Sequence, residues 1–220
     1  MLDPQKSNAL TATIYGKTGS GKSYLAHWIA KKYAKLNKRD RHIVVSTTEL
    51  DRDKYLPEFD KISVDEGTPD DLDWGQVLIN HPDLYVEMIG LDEQNEHHLD
   101  KLSRTVRDMG NCLFMVDEAY QLFGRYTDAE GMRYLIRQGR KYAVEWVLAS
   151  QQPVDVAKEG ASQANILIVF RTEDKAHVER LSRRMEVKGS VIRNLDDYEY
   201  IIHNAAEGKT ERESTNNLRF

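Results

Sequence analysis

The chain has 220 residues, 40% of them apolar and 30% charged, with a formal net charge of −5 at pH 7. That suits one globular α/β domain with a sizeable core and is short for two. No run of about 18 apolar residues occurs, which argues against membrane insertion, and a net-acidic chain does not coat nucleic acid through bulk charge, so any such contact must be local.

In chain order, "MLDPQKSNAL" lacks the basic region and apolar block of a secretory leader, which points to the cytoplasm. "LTATIY" (Leu10 to Tyr15) is predicted as a first strand, and "GKSYLAHWIAKKYAKL" as a helix with Leu25, Trp28, Ile29, Tyr33 and Leu36 on one face. "RHIVVST" and the weaker "KISVDE" read as strands, and "DLDWGQVLINH" as a helix with Asp70, Asp71 and Asp73 near its positive end. "DLYVEMIG" reads as a strand, and "DEQNEHHLDKLSRTVRDMG" as a helix stopped by Gly110. "NCLFMVDEA" is a nearly all-apolar strand, "EGMRYLIRQGRKYA" a helix, and "VEWVLASQQP" a strand halted by Pro153. "NILIVFRT" (strand), "EDKAHVERLSRRM" (helix) and "DYEYIIHN" (strand) complete a domain over residues 1–204. Residues 205–220, "AAEGKTERESTNNLRF", are predicted to be a polar, flexible tail.

Strands alternating with helices imply a mainly parallel sheet covered on both faces. Runs such as "CLFMV" and "ILIVF" suit strands buried on both sides. Trp28, Trp74 and Trp146 are expected in the core, Cys112 as a buried reduced thiol, and His97 and His98 on a helix surface, since no further ligands at metal-site spacing accompany them.

Gly16-Lys17-Thr18-Gly19-Ser20-Gly21-Lys22-Ser23 fits G-x-x-x-x-G-K-[ST]. Glycines let successive N–H groups turn inward to phosphate oxygens, and the following helix aims its positive end at the same anion. Lys22 is expected to reach the terminal phosphates of ATP, Ser23 to ligate Mg²⁺, and Tyr24 to close the cradle. A Gly-rich turn ahead of a helix is the simpler alternative, but an apolar strand before and an amphipathic helix after favour the cradle.

Asp117 and Glu118 follow an apolar strand, so both are expected to face the crevice beside the cradle. Asp117 would hold Mg²⁺ through its water shell, and Glu118 would polarise the attacking water. Gln151, with Gln152 as alternate, ends a strand where a side chain could touch the γ-phosphate or orient water.

Three stretches, GKTGSGKS, "LFMVDEAYQLF" and "RQGRKYAVEWVLASQQP", together resemble the HerA–FtsK superfamily of P-loop ATPases over about Leu10 to Thr172. The resemblance implies a RecA/ASCE-like fold and a homo-oligomeric ring, a hexamer or pentamer, with ATP sites between subunits. It implies an arginine acting in trans, matched by Arg140 with Arg137 as backup, while Arg171 would touch phosphate within its own subunit. Larger family members carry accessory domains. The P-loop strand here starts about ten residues in, as in compact viral genome-packaging ATPases. The expected function is therefore ATP-driven translocation of double-stranded DNA, with capsid or vertex proteins as partners. A HerA-type subunit working with a nuclease in repair or phage defence is the second reading. An ATP-dependent assembly or secretion switch without DNA is the third.

Overall fold

A computed structural model describes residues 9–47, 52–88, 93–124, 129–152 and 158–218. Within them the apolar runs become strands β1 (Thr11–Tyr15), β2 (Arg41–Ser46), β3 (Asp60–Val64), β4 (Asp83–Met88), β5 (Cys112–Val116), β6 (Val144–Ser150), β7 (Ile166–Phe170) and β8 (Glu199–Asn204). A further strand, β9 (Lys209–Ser214), completes one sheet of order β3-β4-β2-β5-β6-β1-β7-β8-β9. From β3 to β7 every neighbouring pair is parallel, whereas β7–β8 and β8–β9 are antiparallel. All residues of β1, β5, β6 and β7 are buried, as strands covered on both faces require.

Helices α1 (Lys22–Lys35) and α2 (Arg52–Tyr55) cover one face. Helices α3 (Trp74–Asn80), α4 (Glu93–Met109), α5 (Ala119–Leu122), α6 (Glu130–Gln138), α7 (Lys158–Gln163), α8 (Lys175–Met185) and α9 (Gly189–Arg193) follow in the chain. Of these, α3, α4, α6, α8 and α9 send their apolar residues into the core on the opposite face. The Asp73 carboxylate accepts from the Gln76 amide at 3.0 Å and so caps α3. Gly110 ends α4 at φ +67, where a Cβ would stand 2.6 Å from the Tyr142 carbonyl oxygen.

The structure departs from the sequence expectations in several places. Residues 205–220 are not a free tail over their described part: β9 pairs with β8 from Asn204↔Lys209 to Glu199↔Ser214, and Leu218 is buried. An edge strand is held by backbone hydrogen bonds, so "KTERES" needs no apolar face. The predicted helix through Ala143 breaks after Gln138 into a 3₁₀ turn, Gly139–Tyr142, that ends with Ala143 at φ +57. Leu36 lies at the end of α1 and is exposed rather than packed. His98 is buried against Trp74 (ring centroids 6.0 Å apart), so only His97 has the expected exposed position. The three tryptophans and Cys112 are buried as expected. Pro153 and parts of the segment after β2 lie outside the described residues.

Candidate functional site

All parallel strands point their C-terminal ends to one edge of the sheet, and the cradle forms there. The Gly16 amide donates to the Ser150 carbonyl (3.3 Å), and the Lys17 amide to the Arg171 carbonyl (3.4 Å), so the ends of β6 and β7 fix the loop. A Cβ at Gly16 would lie 2.6 Å from both the Phe170 Cβ and the Ser20 Oγ. Gly21 takes φ +100 at the start of α1, where no side chain caps the helix and no acidic residue sits in the first turn. The open amides and positive end of α1 are thus left for an anion.

β6 stands between β1 and β5, so the acidic pair is not on the strand beside the cradle, and Gln151 of the intervening strand bridges the gap. The Thr18 hydroxyl donates to Gln151 Oε1 (2.7 Å), and Gln151 Nε2 donates to Glu118 Oε1 (2.8 Å). Lys22 Nζ reaches the same Glu118 oxygen at 2.8 Å, and both charged groups are buried. Asp117 is fully buried at the tip of β5, where its amide donates to the Val45 carbonyl (2.8 Å) and its Oδ1 accepts from the Glu118 amide (2.9 Å). Glu118 itself holds φ +50, a left-handed conformation that costs a non-glycine residue about 1–3 kcal/mol.

Three buried polar atoms here have no hydrogen-bond partner among the described residues: Ser20 Oγ, Asp117 Oδ2 and Glu118 Oε2. Unsatisfied buried carboxylate oxygens are costly, and their convergence on an uncapped helix end fits a phosphate chain with its cation. The residues present would accommodate ATP along Gly16–Tyr24. They would also accommodate Mg²⁺ between the Ser23 hydroxyl and Asp117, an oxygen donor set suited to that ion. Gln151 is the glutamine in the network; the alternate, Gln152, donates its backbone amide to Ser150 Oγ at 3.0 Å.

His27 was not singled out by sequence. It lies one turn beyond Ser23 and its Nδ1 contacts the Ser23 carbonyl at 2.6 Å, so Nδ1 carries the proton. Burial pushes its pKa below the ordinary histidine value, against opposing effects of Asp117 and the Ser23 carbonyl. A neutral ring thus braces the first turn of α1. The spacing of four residues on a helix was the available signal.

The arginines separate. The Arg171 guanidinium pairs with Asp197 (Nη2 to Oδ1, 2.9 Å) and donates to the Leu195 carbonyl (3.5 Å). The guanidinium thus staples the end of β7 to the turn before β8, which offers both a carboxylate and a carbonyl. Arg140 sits in the 3₁₀ turn that precedes β6 and is exposed. β6 has seven residues, so about 20 Å of strand separates Arg140 from the cradle edge of its own sheet.

Residues 12–191 match the family described as ATPase family associated with various cellular activities (AAA). The chain belongs to the AAA family. No curated relative matches it. Among solved structures, this AAA chain is similar to the genome packaging NTPase B204 from Sulfolobus turreted icosahedral virus 2 in complex with AMPPCP. The TM-score is 0.72 at 17% identity, over 96% of this chain and 98% of that one. It is also similar to VirB4 of Thermoanaerobacter pseudethanolicus, with a TM-score of 0.66 at 13% identity, over 97% and 92% of the two chains. Identities this low speak to fold, and the fold is the one that the resemblance to HerA–FtsK-type P-loop ATPases implied. The protein is a P-loop ATPase of the AAA family. No helix among the described residues is long and apolar enough to cross a membrane.

Proposed function

We propose that this ATPase is a ring-forming motor that translocates double-stranded DNA, with viral genome packaging as its task. The observation that carries the reading is the separation of the exposed Arg140 from the cradle by the length of β6. Lys22, Asp117, Glu118 and Gln151 gather at one edge, and Arg140 stands exposed beyond the other. An arginine so placed serves a site only on an adjacent subunit, which ties hydrolysis to assembly.

Within each subunit, Lys22 and the open amides of α1 would hold the phosphates, and Ser23 and Asp117 the cation. Bound Mg²⁺ would neutralise charge on the terminal phosphates. Glu118 would accept a proton from the attacking water through Oε2, the oxygen that lacks a partner. Gln151 fixes the rotamer of Glu118 through Oε1. Phosphate binding would draw the Lys22 ammonium off Glu118 and free that carboxylate for the water. Arg140 from the neighbour would stabilise charge on the transferring group.

DNA as the substrate is supported by the fold shared with the B204 packaging NTPase. The deciding experiment is ATP turnover with and without duplex DNA, alongside the mass of the assembly with ATP present. Stimulation by DNA in a ring-sized particle is expected. An ATPase indifferent to every DNA would instead favour a secretion or assembly switch.

A further inference from the structure

The two sides of the cradle differ in chemistry. On the β6–β5 side lie the carboxylates and Gln151; on the β7–β8–β9 side lies an aromatic ring. β8 runs antiparallel to β7, so the turn before β8 and the segment after β9 both return to the cradle edge. That brings Tyr198 to the start of α1. An added Cβ at Gly21 would lie 3.2 Å from the Tyr198 ring and 3.3 Å from Thr215 Oγ1.

Tyr198 combines three features that packing alone does not explain. It is 47% exposed although large and aromatic. It holds φ +68, in the left-handed region that bulky residues avoid. The conformation is nevertheless locked, because its carbonyl accepts from the Thr215 amide (2.9 Å) and the Thr215 hydroxyl (3.3 Å). Two more ties fix the surroundings. Arg171 staples Asp197 and Leu195 to the strand that anchors the Lys17 amide. The Tyr24 hydroxyl donates to the Leu218 carbonyl at 3.3 Å.

A nucleoside triphosphate in this cradle has one orientation. Its terminal phosphate must face Glu118 and Asp117, so its nucleoside leaves on the opposite side, over β7–β8–β9. We infer that Tyr198 is the platform on which the nucleobase stacks, and that the C-terminal turn and strand β9 exist at this edge to hold that ring in place. The inference rests on reading Gly16–Ser23 as a nucleotide cradle. Because a ring face reads no base edge, the platform favours purines by their stacking area.

The test separates base from phosphate. Affinities of the full chain are measured by calorimetry for a non-hydrolysable ATP analogue and for inorganic tripolyphosphate. Tyr198→Ala should weaken the analogue by about 5- to 100-fold and leave tripolyphosphate unchanged, while Tyr198→Phe should bind both as the parent does. Tyr198→Gly relieves the backbone strain, so it should fold at least as stably and show the same selective loss even where the alanine variant does not fold. Unchanged affinity for the analogue, or equal losses for both ligands, would overturn the platform. Lys22→Ala is the control and should weaken both ligands. If it weakens neither, the cradle itself is wrong and the platform falls with it.

Discussion

Glu118 and Glu145 are both buried glutamates at strand ends, and they sit at opposite edges of the same sheet. Glu145 is fully used. Its Oε1 accepts from the Leu10 amide at 2.7 Å, its Oε2 from Arg39 Nε at 3.1 Å, and Lys38 Nζ stands 3.9 Å away. Glu118 takes both Lys22 and Gln151 on one oxygen and leaves the other bare, on a strained backbone. Burial therefore does not mark function here. A carboxylate whose hydrogen bonds are complete fastens strands together, whereas one left half-satisfied has capacity reserved for a substrate.

Substitutions that break this contrast should give effects of different kinds. The largest expected effects fall on turnover. Arg140→Ala should lower kcat by about 10³-fold with ATP affinity retained. Mixing it with Glu118→Gln subunits should restore part of the activity, since each defective chain supplies the half-site that the other lacks. Normal turnover by Arg140→Ala would remove Arg140 from the site, and normal turnover by Arg137→Ala as well would show that the site is not shared. Glu118→Gln alone should also cost about 10³-fold in kcat while ATP still binds.

Glu145→Gln should do the reverse. It leaves Arg39 and Lys38 with a neutral partner at a buried position, so urea denaturation should show a loss of about 2–3 kcal/mol with ATP affinity unchanged. A kinetic defect in that variant, at unchanged stability, would erase the distinction between the two glutamates. Gln151→Ala is smaller: removing one hydrogen bond to a charged group should reduce kcat by roughly tenfold to a hundredfold.

The smallest effect is a pH slope. Burial holds the folded His27 and His98 pKa values below their ordinary range. The unfolded chain therefore takes up those protons first as the pH falls. The stability associated with the neutral rings is complete above about pH 6.5 and is lost as the pH drops through that value toward the folded pKa values. The urea midpoint should be lower at pH 5.5 than at pH 7, and His27→Asn should flatten part of the slope. An equal slope in that variant would remove His27 from the account.

Much of the site was legible because its parts are local. Gly16–Ser23 is a continuous motif whose backbone geometry follows from its glycines and the helix after it. Asp117 and Glu118 are marked by the five buried apolar residues before them. His98 and β9 were misread for one reason. Periodicity reports which residues can face a core, and it says nothing about a polar ring taken inside or an edge strand held by its backbone alone.

By itself, then, the sequence determined the alternation of strands and helices, the parallel core and the phosphate cradle, because hydrophobic period and glycine placement act over a few residues. Only the tertiary structure decided which distant residues complete that cradle. The insertion of β6 between β1 and β5 put Gln151 on Glu118, the staple from Asp197 occupied Arg171, and the antiparallel return of β8 set Tyr198 beside Gly21. Each depends on strand order, and strand order arises from packing the whole sheet at once.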